Sequence, residues 1–211
     1  MSKAEPKFRR AAPAVRREAL VEATLRCLKK YGHEGVSIRR ISAEAGVSIG
    51  LINHHFPNKS GLIAETYESL ARSLRESAHE LSSGKGATPR ERLTGFFQAS
   101  FAPTLVDPEL FNVWIVFWSM VAHSEEIRAV HDRTYDDYRA VLESLLSELA
   151  RAGDVPKFKL KQAAIGLSAL MDGLWVELSL SPSTVKPADA IALCEDWVSA
   201  LCAGSFTRLL K

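Results

Sequence analysis

Residues 37–62 of the chain are SIRRISAEAGVSIGLINHHFPNKSGL, and their pattern indicates two short helices. Apolar residues recur three and four positions apart, which is the period of an α-helix and not of a strand. Ser37 and Ser48 are good N-cap residues, Gly46 can end the first helix, and Pro57 disfavours helical backbone just before it. The segment is therefore predicted to be a helix-turn-helix with a tight turn around Gly46.

The second of these helices carries a glycine near its start. Docking a helix in the major groove of DNA needs a small surface that lets the backbone approach base edges, and Ile49-Gly50-Leu51 supplies one. Glycine inside a helix costs roughly 1 kcal/mol relative to alanine, so close approach to a partner is a physical reason to keep it. The alternative interpretation is a generic corner between two packed helices, with no nucleic acid involved.

The helical period continues through the other residues. Glycines, prolines and cap residues divide the chain into about nine helical segments, and no stretch alternates as a strand would. The sequence therefore predicts an all-α protein. Three short helices fill residues 1–62 and longer ones fill residues 63–211, so we expect two domains that meet near residue 62.

Charge is distributed unevenly between these two parts. The whole chain of 211 residues has a net charge of +2, with 46% hydrophobic and 25% charged residues. Residues 1–62 contain 12 Lys and Arg against 5 Asp and Glu, whereas residues 63–211 contain 15 against 20. A basic N-terminal part joined to an acidic C-terminal part suggests that a polyanionic partner binds residues 1–62 alone. A run of charge is also common on a solvated face.

Composition disfavours membrane and disulfide-rich classes. The most apolar stretch, residues 113–122, is about half of the roughly 20 residues that span a bilayer, and the N-terminus lacks the apolar core of a signal peptide. We therefore expect a cytoplasmic protein with no membrane partner. Cys27, Cys194 and Cys202 form neither a disulfide framework nor a CxxC metal site.

Catalysis is the competing class of function. Residues 76–79 have the Glu-x-x-His spacing of di-iron helical bundles, but the sequence holds no second copy of it. It also lacks HExxH, GxSxG, GxGxxG and Walker-loop motifs. We therefore predict no enzyme activity, no catalytic residue, no cofactor and no metal.

The helix-turn-helix and the basic helix before it resemble the DNA-binding region of TetR-family transcriptional regulators, over roughly residues 14–62. The resemblance implies a homodimer in which each N-terminal three-helix domain presents its third helix to one half-site of a palindromic operator. It also implies that residues 63–211 form an effector-binding and dimerisation domain. The chain departs from the family at Asn53 and His54, where two aromatic residues are frequent.

Carried over to this sequence, the resemblance gives a set of expected DNA contacts. Those near the DNA backbone are Ser48, Asn53, His55 and Lys59, those facing base edges are Arg39, Ile49, Gly50 and Leu51, and His54 belongs to the same surface. The alternative for His55 is a capping or packing histidine. The basic residues before the motif, which could reach the minor groove or form a frayed tail, are Lys3, Lys7, Arg9, Arg10, Arg16 and Arg17.

Aromatic residues and one carboxylate suggest what the second part binds. The aromatic residues on or beside one helix face are Phe111, Trp114, Phe117 and Trp118. Asp172 and Trp175 are three residues apart and project to one side of another helix. Aromatic faces with a carboxylate suit a quaternary ammonium, which has no N–H to donate. The alternative is ordinary core packing, with Asp172 capping a helix or paired to an arginine.

A finer resemblance concerns the effector. Trp114-x-x-Phe117-Trp118, a long helix containing Tyr135, and the stretch Leu170-Met171-Asp172-Gly173-Leu174-Trp175 are similar to the choline-responsive BetI-type subgroup. That subgroup controls choline-to-glycine-betaine genes, so the resemblance implies choline or betaine aldehyde as effector. Related regulators share the Asp-Gly-Leu-Trp stretch while sensing other molecules, which leaves two alternatives: a different small cationic or apolar ligand, and a DNA-binding protein without a ligand.

The last two helical segments suggest how two chains meet. Residues 158–180 and 187–203 are apolar around more than one stripe, and a single chain can cover one side of each. We expect the remaining sides to form a four-helix interface with two-fold symmetry, which fits a palindromic operator. The alternative is that both helices are internal to the monomer.

Overall fold

The computed structural model describes residues 13–82, 86–103, 105–153, 157–181 and 183–209. Within these ranges the chain forms nine α-helices, which confirms the all-α prediction. They are α1 (Pro13–Gly35), α2 (Ile38–Ala45), α3 (Ile49–His55), α4 (Lys59–Ser82), α5 (Pro89–Ser100), α6 (Pro108–Val121), α7 (Glu125–Ala152), α8 (Leu160–Leu180) and α9 (Pro187–Cys202). A single 3-10 turn, Thr207–Leu209, follows α9.

Local signals in the sequence set the ends of these helices. Ser37 and Ser48 accept backbone N–H groups at the starts of α2 and α3, and Thr88 and Glu91 form a reciprocal capping box at α5. Gly46 ends α2 in the left-handed conformation, with φ 65°. These caps satisfy backbone groups that a helix end leaves unpaired, so the short helices can exist despite their length.

The helices enclose two hydrophobic cores. The first core is formed by the four helices α1, α2, α3 and α4 together with α6 and the beginning of α7. Its buried residues include Leu20, Ile52 and Phe117. The second joins α5, α7, α8 and α9, around residues such as Phe97 and Leu167. The expected boundary near residue 62 therefore falls inside α4, a continuous helix that contributes to both the N-terminal bundle and the rest of the chain.

Helix α8 is long and apolar enough to cross a membrane by length and composition alone, with an 18-residue window of mean hydropathy 1.4. Residues 113–122, identified from the sequence as the most apolar stretch, fall in and just after the shorter helix α6, whereas α8 reaches this length. Leu167, Leu174 and Leu178 of α8 are buried in the second core. A core helix of a globular protein passes the same test, so the finding is weak support for a membrane span.

Candidate nucleic-acid interface and ligand cavity

Helix α3 exposes one face and buries the other. Ile52 is fully buried, whereas Ile49, Gly50, Asn53 and His54 are exposed. A Cβ added at Gly50 would meet only the Ser48 hydroxyl oxygen, at 3.9 Å. Nothing described in the chain therefore requires glycine at this position, and its cost to the helix has no internal packing reason.

The two neighbouring arginines of α2 are used differently. A side-chain nitrogen of Arg40 donates to the Gly35 carbonyl oxygen, and its guanidinium carbon lies 4.8 Å from the centroid of the Tyr31 ring. Arg39 is exposed and makes no hydrogen bond or ion pair with the described residues. Arg39 is therefore the arginine of α2 that is placed to reach an external partner.

Several other predicted DNA contacts also have internal partners. The Ser48 hydroxyl accepts the Leu51 N–H at 3.3 Å and so caps α3. The Lys59 ammonium donates to the Val36 carbonyl oxygen at 3.3 Å, and the His55 ring lies edge-on to His54 at 5.3 Å. Each side chain has a structural role in the described chain, and contact of the predicted residues with DNA stays a prediction.

Arg17 belongs to α1 and packs on the surface of the N-terminal bundle, so it is not part of a basic tail. Its guanidinium donates two hydrogen bonds of 2.5 Å to Glu65, one of 3.1 Å to the His55 carbonyl, and lies 4.3 Å from the centroid of the Phe56 ring. The Arg17 hydrogen bond holds the pKa of Glu65 below its ordinary value, although burial opposes this. The expectation that Arg17 belongs to a DNA-reaching arm was therefore wrong, because this side chain ties α1 to α3 and α4.

The remaining basic residues before the motif are less informative. Arg16 is half-buried in α1. Lys3, Lys7, Arg9 and Arg10 lie outside the described residues.

A cavity of about 130 Å³ lies among α4, α5, α6, α7 and α8. Of the seven residues predicted to bind an effector, five line it: Trp114, Trp118, Tyr135, Asp172 and Trp175. The other lining residues are Tyr67, Ala71, Leu74, Arg75, Phe96, Ser100, Leu105, Thr134, Tyr138, Val141 and Met171. Sixteen residues from five helices and one connection thus line a mostly apolar cavity, and seven of them are aromatic.

Phe111 and Phe117, the other two predicted residues, are buried away from the cavity lining. Phe117 stacks on the Tyr67 ring at 4.5 Å with nearly parallel planes. Phe111 shares a helix face with Trp118 but lies two turns, or roughly 10 Å, from it along the axis. The level of the cavity along α6, which periodicity does not give, explains Phe111. Phe117 lies between Trp114 and Trp118 along α6 and instead packs behind Tyr67.

Asp172 is the only carboxylate among the residues that line this cavity. The Tyr135 hydroxyl donates to it at 3.2 Å, and among the described residues no cationic side chain forms a salt bridge with it. Burial raises the pKa of Asp172 to about 6, while the Tyr135 hydrogen bond and the positive charge of Arg139 act in the opposite direction. The cavity therefore contains a carboxyl group that forms no salt bridge with the described residues and has a pKa of about 6.

Three aromatic residues that sequence reasoning left out of the site also line the cavity. They are Tyr67, Phe96 and Tyr138. Tyr67 is fully buried, and its hydroxyl forms a 2.8 Å hydrogen bond with His131 Nδ1. The sequence shows that Tyr67 lies on the apolar stripe of α4. Residues of a packed core and residues of a cavity wall have the same helical spacing, so the stripe does not tell them apart.

Arg75 is the only lysine or arginine among the lining residues, and its guanidinium pairs with Asp137 at 2.5 Å. Both side chains of this pair are at least one-third exposed, so the pair contributes little to stability.

Two family models match the chain. Residues 20–66 match the model of bacterial regulatory proteins of the tetR family, and residues 89–203 match the C-terminal model of BetI-type transcriptional repressors. This chain belongs to the TetR family. It is a transcriptional regulator with a BetI-type C-terminal domain, which confirms both resemblances found in the sequence.

Individual relatives of this TetR-family chain cover nearly all of it. The HTH-type transcriptional regulator BetI of Burkholderia ambifaria is 30% identical over 189 residues, which are 90% of this chain and 95% of that protein. The crystal structure of a candidate transcriptional regulator from Pseudomonas aeruginosa PAO1 is 44% identical, with a TM-score of 0.88, covering 96% of this chain and 98% of that one.

A second similar structure is that of a candidate regulator from Saccharomonospora viridis in complex with choline. It is 22% identical, with a TM-score of 0.75, and covers 88% of this chain and 96% of that one. At this identity the similarity shows a shared fold alone.

Proposed function

We propose that this TetR-family regulator is a homodimeric repressor that binds a palindromic operator in the cytoplasm and responds to a small quaternary ammonium compound. Choline or betaine aldehyde is the first candidate, and choline and glycine betaine genes are the expected targets. Ligand binding lowers the affinity for DNA, so the genes are expressed when the ligand accumulates.

The observation that carries the ligand proposal is the Asp172 carboxyl group in an aromatic cavity. A quaternary ammonium cannot donate a hydrogen bond, so a protein holds it with π-faces and negative charge. Each face contributes roughly 0.5 to 2 kcal/mol. The rings of Trp114, Trp118, Tyr135 and Trp175 line the same cavity as Asp172. A cation in this space would also compensate for a carboxylate that burial destabilises.

The cavity volume supports a small ligand. An engineered protein cavity of roughly 150 Å³ holds benzene, so a cavity of about 130 Å³ suits a molecule with a similarly small number of heavy atoms. Choline and betaine aldehyde are of this size, whereas a long acyl chain is not. The choline complex of the Saccharomonospora viridis regulator adds support from a protein of the same fold.

Exposed apolar residues on the last two helices support the homodimer. Ile165 of α8 is 41% exposed and Leu193 of α9 is 48% exposed in the single chain. A two-fold interface between α8 and α9 of two chains would remove both from water. Such a dimer presents its two α3 helices to half-sites roughly 34–36 Å apart, or to a multiple of that spacing.

Helix α4 supplies a direct route between ligand and DNA. Tyr67, Ala71 and Leu74 of α4 line the cavity, and Leu62 and Ile63, near the start of the same helix, pack in the core of the N-terminal bundle. A ligand that changes the packing around Tyr67 therefore acts on a helix that shares the N-terminal core with α3. Ligand and DNA then favour different arrangements of the same dimer.

Titration calorimetry and gel retardation test the proposal together. Choline should release heat on binding, whereas 3,3-dimethylbutan-1-ol, its neutral carbon isostere, should bind far more weakly. Choline should also release the protein from its own promoter, in a band shift at low ionic strength. No retardation of promoter DNA contradicts the repressor, and no binding of choline or betaine aldehyde contradicts this choice of effector.

The comparison of choline with its neutral isostere also separates the alternative ligand classes. Equal affinity for choline and for the neutral isostere would favour an apolar ligand, because charge would then contribute nothing. Binding of other small cations without choline would favour a different cationic effector. A DNA-binding protein without a ligand is disfavoured by the cavity itself, because such a protein gains nothing from a buried carboxyl group that lacks a cation.

A further inference from the structure

A hydrogen bond joins α4 to α7 beside the ligand cavity. The Tyr67 hydroxyl of α4 and Nδ1 of His131 in α7 are 2.8 Å apart. Tyr67 is fully buried and lines the cavity, whereas His131 is half-buried and is not among the lining residues. His131 therefore contacts a residue of the cavity wall without lining the space that a ligand would fill.

Burial fixes the protonation of both partners. It raises the pKa of Tyr67 far above its ordinary value, so the hydroxyl keeps its proton. It also lowers the pKa of His131, although the carboxylate of Asp132 opposes this, so the ring is neutral at neutral pH. A neutral ring whose Nδ1 accepts from Tyr67 carries its own proton on Nε2. His131 thus supplies an acceptor for a buried hydroxyl.

His131 also contacts a second residue of the cavity wall. The rings of His131 and Tyr135, four residues apart on α7, have centroids separated by 4.4 Å. The Tyr135 hydroxyl in turn donates to the Asp172 carboxylate at 3.2 Å. A continuous series of contacts therefore runs from α8 across α7 to α4, through Asp172, Tyr135, His131 and Tyr67.

The other polar side-chain contacts between α4 and α7 in the described ranges are surface ion pairs. They join Arg75 to Asp137 and Arg133 to Glu68, and each of these side chains is at least one-third exposed. Solvent screens such pairs, so they hold the two helices together weakly. The contact at Tyr67 differs, because this residue belongs to the first hydrophobic core, which it shares with α1 and α3.

We propose that His131 is a positioning residue that couples the ligand cavity to α4, and through α4 to the DNA-binding bundle. Its hydrogen bond makes Tyr67 follow the movement of α7 that a ligand produces beside Tyr135 and Asp172. Without this bond the ligand still binds, but α4 responds to it less. The inference rests on the proposed function and assigns to His131 a role in regulation that is separate from ligand recognition.

Two substitutions separate the acceptor of His131 from its ring. His131→Phe keeps a ring against Tyr135 and removes the acceptor, whereas His131→Asn keeps an acceptor near the place of Nδ1 and removes the ring. Calorimetry on the full-length protein measures choline affinity, and fluorescence anisotropy measures the change in operator affinity that choline causes. In His131→Phe, choline affinity should change less than about threefold, while the change in operator affinity should shrink at least about fivefold. His131→Asn should retain most of that change.

A double-mutant cycle identifies the partner of His131. Tyr67→Phe removes the other half of the same bond, so Tyr67→Phe combined with His131→Phe should lose no more coupling than either variant alone. Arg133→Met is the matched control. It breaks an exposed pair between the same two helices, away from the cavity lining, and should leave the coupling unchanged.

Several outcomes would overturn the role of His131 and leave the proposed function intact. They are full DNA release by choline in His131→Phe, additive losses in the double variant, and an equal loss in Arg133→Met. If His131→Phe does not fold, Tyr67→Phe tests the same bond, and a full response in that variant would also overturn it. An unmodified protein whose operator affinity responds to neither choline nor betaine aldehyde would overturn both proposals.

Discussion

The Lys29 ammonium lies 3.0 Å from a carboxylate oxygen of Asp107, and this ion pair joins α1 to the start of α6. The other Asp107 oxygen accepts the Glu109 N–H at 3.0 Å and caps α6. Burial works to raise the pKa of Asp107, but the Lys29 contact and the capping N–H groups hold it below its ordinary value. Helix α6, which carries Trp114 and Trp118 into the cavity, is therefore attached to the DNA-binding bundle through a charged contact.

We predict that Lys29→Met reduces the release of DNA by ligand. The pair is about one-third exposed, so its loss should cost less than about 1 kcal/mol of stability. The ligand-dependent change in DNA affinity should fall, because movement of α6 is then transmitted less directly to α1. Band shifts over a choline series measure this coupling. Arg92→Met, which breaks a pair to Glu148 between α5 and α7 away from the cavity lining, is a control for general effects of losing an ion pair.

We predict that choline affinity depends on pH through Asp172. The charge of choline does not titrate, so any pH dependence belongs to the protein. The carboxylate form binds the cation, and the pKa of Asp172 is about 6. Affinity should be constant above pH 7 and fall toward tenfold per pH unit below about pH 6. Calorimetry between pH 5 and 8 measures it, and Asp172→Asn should give a flat, low profile. A pH-independent affinity in the unmodified protein would contradict the role of Asp172.

We predict that Asp172→Asn stabilises the ligand-free protein. A carboxyl whose pKa is raised from 3.8 to about 6 favours folding when protonated, so this stability is present below about pH 4 and lost as the pH rises through 6. At pH 8 the lost stability amounts to up to about 3 kcal/mol. Asp172→Asn should therefore raise the melting temperature at pH 8 and change it little at pH 4. A lower melting temperature at pH 8 would show that the carboxylate is compensated in the folded protein.

We predict that Gly50→Ala separates stability from DNA binding. The added Cβ meets only the Ser48 hydroxyl oxygen, at 3.9 Å, so alanine should stabilise α3 by up to about 1 kcal/mol. The same Cβ would lie on the exposed face of α3 and hold it away from base edges, which should weaken operator binding. Thermal melting and band shifts measure the two effects. Unchanged DNA affinity would exclude close approach at Gly50.

We predict that Lys59 and Arg39 affect DNA binding in different ways. Loss of a phosphate contact at Lys59 should weaken binding to all sequences and reduce the salt dependence of affinity by about one charge. Arg39→Ala should instead relax the preference at one base pair. Fluorescence anisotropy over a salt series, with operator and scrambled duplexes, separates the two. An unchanged salt slope in Lys59→Met would indicate that its contact with the Val36 carbonyl is its whole role.

The helices and the helix-turn-helix were readable from the residues because their determinants are local. Ser37, Gly46 and Ser48 act on backbone groups within four residues of themselves, so their effect does not depend on the rest of the chain. The three-residue spacing of Asp172 and Trp175 was enough to place both on one wall of the cavity. Family membership followed from the same ordered spacing.

The composition of the cavity was decided by tertiary packing. Periodicity did not distinguish Tyr67, which lines the cavity, from Phe117, which lies behind it, because both occupy apolar stripes. Arg17 was counted in a basic tail, yet Glu65, 48 residues away, holds its side chain against the bundle. Helix formation needs only neighbours along the chain. The burial of a charge and the pairing of a buried hydroxyl depend on which distant side chains meet, and that is fixed only when the helices pack.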